Sequence, residues 1–66
     1  MVDTRKLRSQ MVLKGYTIKT LAEKIGISEK TLSTKINKTP NKFTQEEMSE
    51  IVHALDIENP VNIFFA

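Results

Sequence analysis

The chain has 66 residues and no cysteine, a length that buries roughly 60% of the unfolded surface and leaves no room for a second domain, a disulfide framework or a cysteine-based metal site. Its formal charge of +2 hides a split: residues 1–42 hold all ten Lys and Arg against Asp3, Glu23 and Glu29, for +7, while residues 43–66 hold Glu46, Glu47, Glu50, Asp56 and Glu58 and no base, for −5. The apolar runs Met11–Leu13 and Ile63–Ala66 fall far short of the about 20 residues of a membrane helix, and Arg5, Lys6 and Arg8 lead into polar Ser9 and Gln10, not into the apolar stretch of a signal peptide.

These features predict one soluble, cytoplasmic domain over residues 1–66, with one end turned to an anionic partner. The competing account of the charge split is that surface lysines are simply front-loaded. No run alternates apolar and β-branched residues with polar ones, so the expected fold is all-α, a compact bundle of four to five short helices.

In chain order, Asp3 or Thr4 caps a first helix with Leu7 and Met11 on its inner face, ending at Lys14-Gly15. Thr17 caps a second, whose inward stripe is Leu21, Ala22 and Ile25 and whose stop is Gly26. Ser28 caps a third through about Asn37, with Leu32 and Ile36 inward. Thr39-Pro40-Asn41 breaks the helical pattern, because Pro40 disfavours helical backbone at Thr39. Thr44-Gln45-Glu46-Glu47 matches a capping box for a fourth helix to about Leu55, with Met48, Ile51, Val52 and Leu55 inward and Phe43 as a hydrophobic staple. Asn59-Pro60 precedes a last turn from Val61 to Phe65. Adjacent Phe64 and Phe65 cannot both face inward, so one is expected at the surface, available to a dimer seam.

The second and third helices, joined through Gly26-Ile27-Ser28, have the spacing of a helix-turn-helix. Ala22 is small where the helices cross, Gly26 suits a positive φ in the turn, and Ile27 fills the angle between them. An ordinary helical hairpin is the plainer alternative. On a wheel of 3.6 residues per turn, Lys30, Ser33, Thr34 and Asn37 lie opposite Leu32 and Ile36. Short hydroxyl and amide side chains with one lysine suit a DNA groove: Asn pairs with adenine, Lys reaches guanine O6 and N7, and Ser or Thr serves base or phosphate. Glu29 has two readings, acceptance from a cytosine amino group or simple stabilisation of the helix start. Thr17 and Lys19 at the start of the second helix, with Lys35, Lys38 and Lys42 around the third, are the expected phosphate contacts.

The runs YTIKTLAEKIGISEKTLSTKIN and KFTQEEMSEIVHALDI together resemble the lambda-repressor-like (Cro/C1, XRE-type) helix-turn-helix family, and NPVNIFFA resembles the ending of its small phage Cro-like members. The resemblance spans Leu7 to Phe65. It implies a five-helix DNA-binding domain acting as a homodimer, at least on DNA, at a palindromic operator, in the bacterial cytoplasm or nucleoid. It further implies base reading by Glu29, Lys30, Thr34 and Ser33, and phosphate contact near Thr17, Ile18 and Asn37. The chain departs from the family pattern at Ile18, where Gln is frequent, at Lys38, where Gly is frequent, and in the Leu32-to-Ile36 spacing of four where three is frequent.

Nothing else in the chain suggests chemistry. His53 is the single histidine and sits between apolar Val52 and Ala54; there is no nucleophile-base set, Gly-rich phosphate loop or metal-ligand cluster, so neither an enzyme nor a cofactor, metal or small-molecule ligand is expected. The leading expectation is a sequence-specific double-stranded-DNA-binding repressor. The alternative keeps the fold but binds protein, as an antirepressor or adaptor working through the acidic end and Ile63 to Phe65.

Overall fold

The computed structural model describes residues 1–65, all helices and turns without a strand among them; Ala66, the last residue of the apolar ending, lies outside the described residues. The helices are α1 (Thr4–Leu13), α2 (Ile18–Ile25), α3 (Glu29–Asn37), α4 (Gln45–Leu55) and α5 (Val61–Phe64), with one 3-10 turn over Pro40–Lys42.

Each helix start is set by a side chain that accepts N–H groups left without a partner in the first turn. At α1 the cap is Asp3, not Thr4: its Oδ1 accepts from the N–H of Arg5 and of Lys6, both at 3.1 Å. The Asp3 N–H in turn donates to the Ile63 carbonyl at 2.6 Å, which ties the start of α1 to α5. At α2, Thr17 and Thr20 cap reciprocally: the Thr17 N–H donates to Thr20 Oγ1 at 2.8 Å and the Thr20 N–H to Thr17 Oγ1 at 3.1 Å. At α3, Ser28 Oγ accepts from the Thr31 N–H at 3.1 Å. The expected box at α4 is present, with the Glu47 N–H on Thr44 Oγ1 at 3.0 Å and the Thr44 N–H on Glu47 Oε1 at 2.8 Å.

Gly26 stops α2 with φ 81°, and both its N–H and that of Ile27 donate to the Ala22 carbonyl, at 2.9 and 3.0 Å. That left-handed residue turns the chain within two positions and sets α3 against α2. No atom lies within 4 Å of where a Gly26 Cβ would stand, so the requirement for glycine is one of backbone conformation, not of space. At the end of α4 the left-handed position is taken by Asp56, φ 51°, a residue whose short polar side chain tolerates it.

The core gathers one stripe from each helix. Leu7, Leu21, Leu32, Ile51 and Leu55 are its fully buried members, with Met11, Ala22, Ile36, Phe43, Ile63 and Phe64 around them. Each large side chain so buried contributes roughly 1.5–3 kcal/mol. α2 is the hub: it packs on α3 on one side and α4 on the other. Ile25, Met48 and Val52, expected inward, are only half-buried at the edge of this core. Of the two adjacent aromatics, Phe64 turns in at 3% exposure beside buried Ile63, while Phe65, just past the end of α5, turns out at 68%.

Candidate nucleic-acid interface

With Leu32 and Ile36 locked into the core, α3 has one orientation available, and its opposite side must face out. Lys30, Thr31, Thr34 and Asn37 are exposed there, with Ser33 half-buried on the flank. The nine residues of α3 span roughly 13 Å, comparable with the about 12 Å width of the major groove. Glu29 stands exposed at the first helical position, where its carboxylate complements the positive end of the helix.

α2 packs on α3, and the residues at its start are the next expected contacts. Thr17 Oγ1 is engaged within the cap, bonded by the Thr20 N–H and lying 3.2 Å from Thr20 Oγ1. The N–H groups of Ile18 and Lys19 occupy the first two helical positions, which have no intrahelical acceptor. Ile18 packs its side chain against the core, so its N–H is the part able to meet an anion. Lys19 is exposed.

Among the lysines around α3, Lys38 and Lys42 are exposed. Lys35, the third lysine expected at phosphate, is paired within the fold. Its Nζ lies 2.5 and 2.6 Å from the two carboxylate oxygens of Glu47, with both side chains largely shielded at 18% and 15% exposure. Glu47 therefore works twice, capping α4 and holding Lys35 of α3. Partial burial pushes the Glu47 carboxyl up, but the Lys35 and Thr44 hydrogen bonds and the lysine charge outweigh it and hold the group below its ordinary value.

Two residues escape a reading of the sequence. Arg8, on α1, donates from its guanidinium to Asn37 Oδ1 across 29 positions of chain, and Asn37 Nδ2 donates to Ser33 Oγ at 3.2 Å. No local pattern announces such a contact. Thr31 is exposed beside Lys30 and Thr34, although its Oγ1 accepts from Ser28 Oγ at 2.7 Å; the helical wheel was the signal that places it on the outer face.

The surface so assembled offers donors and cations, while the acids Glu46 and Glu50 lie exposed on α4. His53 is exposed on α4, no cluster of three or more metal-binding side chains occurs among the described residues, and no helix is long and apolar enough to cross a membrane. A family model described as the Cro/C1-type HTH DNA-binding domain matches residues 6–60. No curated protein and no solved structure matches the chain.

Proposed function

Because this chain belongs to the Cro/C1-type HTH DNA-binding domain family, we propose that it is a sequence-specific regulator of transcription that reads a double-stranded operator through the major groove and represses by occupying it. The observation that carries the reading is the outer face of α3, where lysine, hydroxyl and amide side chains stand together opposite a buried Leu32 and Ile36.

α3 enters the groove with its outer face against base edges. Lys30 reaches guanine O6 or N7, Thr34 offers its hydroxyl or its methyl to thymine, and Glu29 accepts from a cytosine amino group. Phosphate contacts fix the register. The Ile18 and Lys19 N–H groups at the start of α2 meet one phosphate, Lys19 adds its charge, and Lys38 and Lys42 meet the backbone at the far end of α3. Two copies on a palindromic operator set their α3 helices about 34 Å apart on one DNA face. Val61 and Phe65, 60% and 68% exposed at α5, support a seam between those copies.

The test is selection of bound duplexes from a random pool, followed by titration of the winner and a scrambled duplex at two salt concentrations. Enrichment of an inverted repeat bound at least about a hundredfold better than scrambled DNA supports the reading, a ratio within reach of specific binders. No enrichment, with weak binding at moderate salt, overturns it. The exposed Val61 and Phe65 favour one second reading, a protein-binding module on the same fold, whose binding would be far less sensitive to salt.

A further inference from the structure

We propose that Arg8 converts the C-terminal end of α3 into a clasp for a DNA phosphate, in which Arg8, Asn37 and Ser33 all act as donors to the backbone, none of them reading a base. The proposal rests on the DNA-binding reading and deepens it by adding a residue from α1 and moving Ser33 from base reading to positioning.

The polarity of the cluster follows from what each group can do. A guanidinium has donors only. The atom of Asn37 that faces Arg8 is therefore the amide oxygen, and the NH2 group is turned toward Ser33. One amide hydrogen goes to Ser33 Oγ at 3.2 Å, and the second remains. Ser33, having accepted, keeps its own hydroxyl hydrogen to give away. Arg8 keeps the rest of its N–H groups and its charge. The hydrogens left over on all three side chains make an edge suited to an anion.

Position selects the anion. The backbone at the C-terminal end of a helix presents carbonyl groups, not N–H groups, and here the nearest N–H groups, of Lys38 and Thr39, are both spent on the Thr34 carbonyl at 2.8 and 3.0 Å. An anion at this end must be met by side chains. In helix-turn-helix docking the recognition helix puts its N-terminal residues on the bases and the first helix of the pair, here α2, crosses the sugar-phosphate wall, which leaves the exit of α3 to reach the backbone through side chains. The Arg8-Asn37-Ser33 edge joins the exit of α3 to α1, and Ser33 is half-buried on the flank, away from the outermost Thr34.

The experiment compares the full chain with its Asn37→Asp and Arg8→Gln variants on the selected operator and on scrambled DNA, over a range of salt. An aspartate at 37 accepts from both Arg8 and Ser33, consuming the donors and offsetting the Arg8 charge with little change of shape. The expected result is that affinity for both duplexes falls by the same factor, about tenfold. The log-log salt slope becomes shallower by about 0.9, the loss of one neutralised phosphate. Arg8→Gln is expected to give the same change in slope with its melting temperature unchanged, so the test stands even where Asn37→Asp proves unstable. A Ser33→Ala variant is expected to leave the selected sequence unaltered. A salt slope unchanged in Arg8→Gln, or a changed base preference at one operator position in Ser33→Ala, overturns the clasp. Wild-type protein that binds no duplex removes the functional reading itself, and is told apart by that.

Discussion

Thr34 and Lys38 are one helical turn apart on the same outward side, yet their loss is expected to register differently. Thr34 lies at the outermost position of α3, so Thr34→Ala should lower the preference for one operator base pair by on the order of 1 kcal/mol, about fivefold, with little change on scrambled DNA. Lys38 sits at the helix exit with only its charge to offer. Lys38→Ala should weaken binding to every duplex alike and flatten the salt slope by about 0.9. Competition titrations with single-base-pair operator variants separate the two, and a Thr34→Ala protein with unchanged ranking would remove Thr34 from the base-reading set. Gly26 makes a prediction of another kind. Since a Cβ there meets nothing within 4 Å and φ is 81°, Gly26→Ala should cost only the left-handed strain, about 1–2 kcal/mol in denaturant unfolding. A much larger loss would mean that space, not backbone conformation, dictates the glycine.

Between elements, the Lys35-Glu47 pair joins α3 to α4, and it explains which parts of the molecule were legible in the sequence. Caps, stops and inward stripes are local: Thr44 and Glu47 are three apart, Gly26 follows its helix directly, and Leu32 and Ile36 repeat at helical spacing, so all could be read in one dimension. The partner of Lys35 is not local: the carboxylate that takes it is 12 residues on. Arg8 and Asn37 are hidden for the same reason at longer range, and which of Phe64 and Phe65 turns inward depends on how α5 docks on α1. The pairing has a pH signature. The folded Glu47 pKa lies below the ordinary value, so its stabilisation is complete above the unfolded pKa and lost as pH falls through the folded one. Glu47→Gln should therefore be less stable than wild type near neutral pH, with the difference closing as pH falls below the ordinary carboxyl value toward the lower folded one. Equal gaps at neutral and at acid pH would show that the charge of Glu47 adds nothing. Lys35→Met should likewise lower stability while leaving the salt slope for DNA unaltered, since its charge is spent within the fold.

At the scale of the whole molecule, folding does not keep the charge split of the sequence fully apart: Arg5, Lys6 and Lys14 line one cleft with Asp56 and Glu58, and Lys35 pairs with Glu47. The +7 of residues 1–42 belongs to α1, α2, α3 and the 3-10 turn, while the acids after residue 42 lie on α4 and the connection to α5. α3 carries Glu29 among its lysines, but the net positive charge of residues 1–42 still favours encounter with a polyanion. If Arg8, Lys19, Lys38 and Lys42 each neutralise one phosphate, one bound copy gives a log-log salt slope of about −3.6, and affinity falls roughly 150-fold between 50 and 200 mM salt. Two copies on one operator double the slope to about −7. Measuring that slope on a half-site and on the full inverted repeat thus counts copies without any assay of association in free solution. The same slope on both duplexes would mean that a single copy occupies the repeat, and the exposed Val61 and Phe65 would then need a partner other than a second copy.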